Sequence, residues 1–585
     1  MATLQKKKCK GHEYWYIVQS KRINGKPRPI VLAYIGKAED LLEKLNKLKK
    51  VEEKENIDEK RILLKKLKSF SHGATLALWK LVGEIGLLDI FDKYLPSQKR
   101  DRLNVSETLI LASIYRALHV SSKRSFSSWS RETTLPEIVG FSPDKLTSQH
   151  FWDQMDSVTE DMIERIERDL TVNLINKYNI TLDTLFYDTT NFFTFIDTEN
   201  ERSTLTQRGH NKQKRNDLRQ FSLALLVTRD FFLPLSSKVY EGNINDSSLF
   251  KEYLPYIFSK FREINLELAD LTIVFDKGNN SKDSFSEIDC GKIHYVASIS
   301  PSHHKDLLNI PIESYSKVKV NGKEILSFRT KKEIWGKERT VVLYKSDKLL
   351  LGQLRGLEKY IKTKKEELSE LKKDLSEKIF TLATWGKKKE QIKKKVANLL
   401  RGENILLPLI SFKLRRGKEG NVLFSYKIND DYYKFLLNNY FGKRILITDK
   451  DYWKTEEIIS AYWGQSKIEQ VFKHLKNPYH NSIEPTFHWT DSKIKVHTFT
   501  CLIGFLLVQL LHKKVRDKGV NLSIDEILLK LKGIRKGNIV YLDLNGKRIQ
   551  VEEYIEEMDD DQKRLLGIVN SFGSKKEGEN QNKED

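Results

Sequence analysis

The 585-residue chain has 39% hydrophobic residues and carries 102 Lys and Arg against 80 Asp and Glu, a net charge of +22. That length supports several domains with their own cores, and the charge fits a polyanionic partner, nucleic acid being the commonest, although lysine excess also follows genome composition. Three scattered cysteines, Cys9, Cys290 and Cys501, exclude a disulfide framework or a zinc-thiolate site and suit a reducing cytoplasm. No secretory leader is expected. The longest apolar run, Thr498 to Leu511, is too short to cross a bilayer and reads as a buried core helix, so no membrane is expected.

In chain order, residues 14–37 form two apolar runs about Asn24-Gly25, the signal of a β-hairpin rich in Lys and Arg. Residues 38–70 are charged with helical spacing, which predicts a linking helix, so 1–70 reads as a small basic β unit plus linker. Over 71–180 the apolar spacing is helical, with turn signals at Pro96 and Pro143, predicting an all-helical domain. Strand-like runs follow from about 181, and a helix over 246–264 is expected to start at Asp246 as its N-cap. Over 302–449 the pattern changes to Asn-Gly hairpins and short strands, interrupted at 354–400 by a Lys/Glu-rich helical stretch expected to break near Trp385-Gly386. Residues 516–573 hold a final hairpin, and 574–585 read as a disordered polar tail.

Three carboxylates stand out. Asp188 sits in TLFYDTTNFFTF, a β-branched and aromatic run, and Asp276 ends the apolar run LTIVFD before Gly278 and two Asn. A charge at such positions costs several kcal/mol unless paired or bound to metal. Glu469 lies in YWGQSKIEQVFKHLK, where helical spacing puts Tyr462, Gln465, Glu469 and Lys476 within an arc of roughly 60°, beside the apolar arc of Ile468, Val471, Phe472 and Leu475. A lone Glu on an amphipathic helix is ordinarily a solvated residue. Two strand-borne acids upstream change that reading. The loop from Arg208 to Arg219, with Lys212, Lys214 and Arg215, is basic and adjoins the first acid. It is suited either to phosphates or to plain solvation.

The order Asp, Asp, Glu on strand, strand and helix resembles the DDE transposases of bacterial insertion sequences. Tyr462-x2-Gln465-x3-Glu469-x6-Lys476 is similar to the Tyr-x2-Arg-x3-Glu-x6-Lys signature of one subgroup, with Gln465 standing where that family has Arg. Lys467 cannot replace it, because at helical spacing it points away from that edge. The resemblance implies an α/β fold: a ribonuclease-H-like core over 181–301 and 450–515, a mostly β insertion over 302–449, and a helical domain over 71–180 that helps bind DNA ends. It implies that Asp188, Asp276 and Glu469 hold two Mg²⁺ ions, with Mn²⁺ substituting, for in-line phosphodiester cleavage and strand transfer. It further implies DNA contacts from Tyr462, Gln465 and Lys476, and base stacking by an insertion aromatic such as Trp335, for which a packed core role is the plainer reading. His488 and His497 match family positions and read as packing or hydrogen-bonding residues.

The function so implied is cut-and-paste transposition of an insertion sequence, acting on the element's terminal inverted repeats and target duplex. A homodimer on DNA, in the cytoplasm and on the nucleoid, is what such enzymes form. Two alternatives share these residues: a ribonuclease-H-like nuclease that cuts without joining, and a transposase-derived DNA-binding protein.

Overall fold

The computed structural model describes residues 2–9, 12–23, 26–36, 63–99, 103–197, 199–211, 213–264, 271–401, 404–542 and 548–573. Strands β1 (Ala2–Cys9), β2 (His12–Ile23) and β3 (Lys26–Gly36) pair antiparallel in that order. The β2–β3 ladder closes at Ile23↔Lys26 around the Asn-Gly dipeptide, whose own residues lie outside those described. Much of the expected linking helix also falls outside them. Where the chain resumes it is a strand, β4 (Leu63–Ser71), rather than a helix.

Helices α1 (Gly73–Glu84), α2 (Val105–Leu118) and α3 (Glu160–Tyr178), with shorter ones between, form the helical layer. Helix α2 starts at a capping box: Asn104 Oδ1 accepts from the Glu107 N–H at 2.8 Å, and Glu107 accepts from the Asn104 N–H at 2.9 Å. Its buried Ile110 and Ile114 pack with Leu78, Leu81 and Ile166 from the neighbouring helices.

The chain then lays down β5 (Thr184–Thr194), β6 (Arg219–Thr228), β7 (Pro234–Glu241), α4 (Asp246–Glu263), β8 (Thr272–Phe275), α5 (Lys282–Gly291) and β9 (His294–Ile299). The N-cap of α4 is Asn245, whose side chain accepts from the Ser247 N–H, and Asp246 is instead in the first helical turn, where its charge suits the helix dipole. Next come β10 (Ser316–Val320), β11 (Lys323–Ile334) and β12 (Lys337–Lys345), then the helical pair α6 (Asp347–Ser376) and α7 (Leu382–Leu399). The break between those helices falls before Leu382, so Trp385 is inside α7 and not at the bend. Strands β13 (Ile410–Arg416) and β14 (Val422–Ile428) form a separate hairpin, and β15 (Lys443–Thr448) leads back.

Among the described residues these strands build a nine-stranded sheet in the order β10-β11-β12-β15-β9-β8-β5-β6-β7. β6 runs antiparallel to β5 and β7, while β8 and β9 run parallel with β5. Much of the expected insertion is therefore not a separate body: β10, β11, β12 and β15 continue the main sheet. Alternation sends Leu185, Ile273 and Ile445 to one face under α4 and α5, and Phe186, Val274 and Leu446 to the other.

That second face is covered by α8 (Thr455–Leu475) and α9 (Asp491–Asp517). Helix α9 is apolar nearly all round, and its most hydrophobic window is 94% buried inside the protein. Its Phe499, Leu507 and Leu511 join the helical layer while Ile494, Cys501 and Phe505 join the sheet core, so the two layers share one helix. The chain ends with α10 (Ile524–Lys532), β16 (Arg535–Leu542), β17 (Arg548–Ile555) and α11 (Asp560–Asn570). β16 pairs with both β17 and β4, which explains the strand where a helix was expected: its partner lies at the far end of the chain.

Candidate active site

Carrying the β5–β8 register, Phe186↔Val274, on by two residues sets Asp188 beside Asp276, and the β8–β9 register, Phe275↔Ala297, sets Asp276 beside Ser298. Both aspartates, with Ser298, line one cleft. All three side chains stand on the face that carries Phe186 and Val274, under α8. Asp276 lies just past the end of β8, where the parallel strands open.

Helix α8 begins with Glu457 accepting from the Lys454 N–H at 2.7 Å. Its path along β5 is set by close contacts. A Cβ on Gly464 would sit 2.1 Å from the Phe186 ring, so only glycine lets the helix lie this near the strand. The Gln465 amide donates to the Tyr187 carbonyl at 3.0 Å, and Lys476 Nζ donates to Thr190 Oγ1 at 2.9 Å and the Asn191 carbonyl at 2.6 Å. From Gly464 to Lys476 the helix rises about 18 Å, and from Phe186 to Asn191 the strand rises about 17 Å, so the two run side by side in the same direction. Glu469, about 7.5 Å beyond Gly464, is then level with Asp188, about 6.6 Å beyond Phe186.

The three carboxylates line one cleft of about 1990 Å³, walled by β5, the segment just after β8, β9, β12, β15, α8, the β10–β11 hairpin and the first half of α6. The hairpin turns on Asn321 and Gly322, both at positive φ (47° and 81°), as a tight turn after an extended strand requires. Asp188 and Asp276 are partly buried and Glu469 is exposed. Lys319, Lys323, Lys348 and Lys467 line the same cleft among acidic side chains. Lys467 has its Nζ 5.6 Å from the centre of the Phe232 ring, at the β6–β7 turn.

Asp276 accepts hydrogen bonds from Ser298 Oγ and from Tyr462 Oη, the latter at 3.0 Å. Burial pushes its carboxyl up, but the Ser298 hydroxyl, the Lys277 N–H, Arg444 and Tyr462 outweigh that and hold it below the ordinary value. Arg444, from β15, donates to the Tyr462 hydroxyl and lies with its guanidinium 5.2 Å from that ring's centre. Burial raises the Tyr462 hydroxyl well above its usual value, so it stays a neutral donor. Arg444 and Ser298 escaped the sequence reading, since nothing local in RILITDK or HYVASIS marks a polar residue as facing an acid on another strand.

Tyr462 and Gln465 line the cleft wall, and the other sequence candidates lie elsewhere. Tyr462 and Gln465 are buried against the sheet, at 5% and 6% exposure. Trp335 stands at the β11–β12 turn with its ring 4.5 Å from that of Phe285, packed with the core of the opposite sheet face. It is not part of the cleft lining. In the basic loop, Lys214 is exposed, Arg215 is paired with Asp217 at 2.8 Å, and Arg219 donates to the Asp197 and Asn200 carbonyls; Lys212 lies outside the described residues. His497 meets the Ile483 carbonyl at 3.0 Å and His488 meets Lys123 Nζ at 3.0 Å. Burial lowers both imidazoles far enough to keep them neutral.

Among the described residues no three His, Cys, Asp or Glu side chains already stand as a metal cage. The donor chemistry of Asp188, Asp276 and Glu469 is nevertheless that of a hard divalent cation, all oxygen and no thiol or imidazole.

The sequence matches no protein-family model and no curated protein. Among solved structures the chain is similar to the piggyBac transposase in a synaptic complex with hairpin DNA, at 10% identity over 78% of each chain with a TM-score of 0.33. It is also similar to the Mos1 transposase in a paired-end complex with the left transposon end, at 10% identity over 36% of this chain and 63% of that one, with a TM-score of 0.15. Neither likeness fixes the fold or the activity of this chain.

Proposed function

We propose that the chain is a DDE transposase that cuts and rejoins DNA at the ends of an insertion sequence. The observation that carries this reading is the juxtaposition of Asp188 and Asp276 on neighbouring parallel strands, with Glu469 brought level with them by a helix tied to β5 at Gly464, Gln465 and Lys476. The order β7-β6-β5-β8-β9, an antiparallel meander followed by two strands parallel to its first, supports a ribonuclease-H-like core. An enzyme of this kind carries one acid on its first strand, one at the end of a later strand and one on a helix.

In this reading Asp188, Asp276 and Glu469 would hold two Mg²⁺ ions, whose chemistry when bound would be to activate a nucleophile at neutral pH and to stabilise a leaving oxygen. Ser298 and Tyr462 keep the Asp276 carboxylate ionised and aimed, and Glu469 reaches in from the exposed side of α8. Lys319, Lys323 and Lys467 meet the phosphates of the entering duplex. A homodimer on paired ends completes the reading, with both inverted repeats engaged.

The test is a cleavage and joining assay on labelled duplex carrying the gene's own flanks, with Mg²⁺ or Mn²⁺. Metal-dependent nicks at discrete positions followed by joined products, absent with Asp188→Ala, support the transposase. Cutting without joining assigns a nuclease, and binding without cutting in both proteins assigns a DNA-binding protein.

A further inference from the structure

Beside Tyr462, α8 offers no cation to a negatively charged phosphate entering the cleft. Gln465 is neutral and its amide is committed to the Tyr187 carbonyl at 3.0 Å. Of the cations on the sheet side, Lys443 is spent on the Leu308 and Ile310 carbonyls at 2.8 and 3.1 Å. Arg444 differs. It stands on β15 at the position paired with Tyr344, on the face under α8, and lines the cleft with Asp188 and Asp276.

Among the described residues its one hydrogen bond goes to the Tyr462 hydroxyl, and it has no carboxylate within ion-pair distance. A guanidinium carries five N–H donors in a rigid fork. Tyr462 bridges it to Asp276 and its ring lies against the guanidinium. The group is thus fixed in place, half-buried and with most of its donors unused.

Resting on the transposase reading above, we propose that Arg444 binds the phosphate at the cleavage point, taking its non-bridging oxygens through the outward N–H groups while Tyr462 fixes the guanidinium. A planar fork matches a phosphate by two parallel hydrogen bonds. Lysine at this position would keep the charge and lose the fork.

The experiment first maps the cleavage position with wild-type protein, Mg²⁺ and duplex carrying the gene's flanks. Binding is then measured with Ca²⁺ for that duplex and for one with a single neutral methylphosphonate at the mapped phosphate. Wild type should lose about tenfold in affinity when that charge is removed. Arg444→Gln should bind both duplexes alike, and Arg444→Lys should keep part of the difference. Melting curves separate misfolding from lost contact, and Arg444→Lys carries the test if Arg444→Gln does not fold. A full tenfold difference retained by Arg444→Gln overturns the proposal and leaves the transposase reading standing. Failure of wild type to cut any duplex overturns both.

Discussion

Gly464 on α8 rests directly on the ring of Phe186, two residues before Asp188 on β5: a Cβ there would fall 2.1 Å from the ring edge. Phe186 is 1% exposed and walled in by the sheet core, so the ring has nowhere to go. Gly464→Ala should lower stability by about 1 to 3 kcal/mol through overpacking. It should also slow strand cleavage more than it weakens DNA binding, because a helix pushed off the strand carries Glu469 away from Asp188. Chemical denaturation together with cleavage and binding titrations reads both effects; unchanged cleavage at reduced stability would mean that the spacing of helix and strand does not set the site.

Ser298 donates to the ionised Asp276, and hydrogen bonds to a charged group contribute about 1.5 to 3 kcal/mol. Burial alone would raise the Asp276 carboxyl, yet Ser298, Lys277, Arg444 and Tyr462 hold it below its ordinary value. A depressed carboxyl contributes stability above its unfolded pKa and loses it as pH falls through the folded one. Ser298→Ala should therefore cost its full amount near neutral pH, and the difference from wild type should shrink below about pH 4. Urea unfolding of both proteins at the two pH values measures this; a cost independent of pH would assign Ser298 to packing.

The loop after α8 is held by the helical layer through Arg116, 3% exposed, which donates to the carbonyls of Ser482, Ile483 and Pro485. Arg116→Ala removes all three bonds; the Ile483 carbonyl keeps His497 and Pro485 is exposed, so the buried Ser482 carbonyl bears most of the loss, at roughly 1 to 3 kcal/mol. The expected result is a protein destabilised by about 1 to 3 kcal/mol, with protease cuts appearing first near residues 477–490. Wild-type protease resistance there would show that the loop is held by other contacts.

Trp335→Ala should destabilise by on the order of 3 kcal/mol, the lower end for a buried aromatic, since its ring stacks on Phe285 within the core opposite the cleft. DNA affinity should be unchanged. Weakened DNA binding at full stability would instead return Trp335 to the base-stacking role that the family resemblance implied.

Much of this site is written in local pattern. TLFYDTTNFFT is a strand because of its β-branched and aromatic residues, and the helical spacing of Tyr462 to Leu475 matches α8. What local pattern does not carry is pairing between distant segments. LLKKLKSFS looks helical alone but is a strand because β16 offers it an edge. The insertion strands look like a separate unit but extend the main sheet, since β12 finds β15. Arg444 and Ser298 acquire meaning only when three strands stand in register.

The most direct test of the account is single-turnover cleavage by Asp188→Ala, Asp276→Ala and Glu469→Ala beside wild type, in Mg²⁺ and at equal occupancy of an end-bearing duplex. The account predicts that each variant binds the duplex and that none cuts it, because a single site needs all three carboxylates. Full cleavage by any one of them, above all by Glu469→Ala, would contradict it.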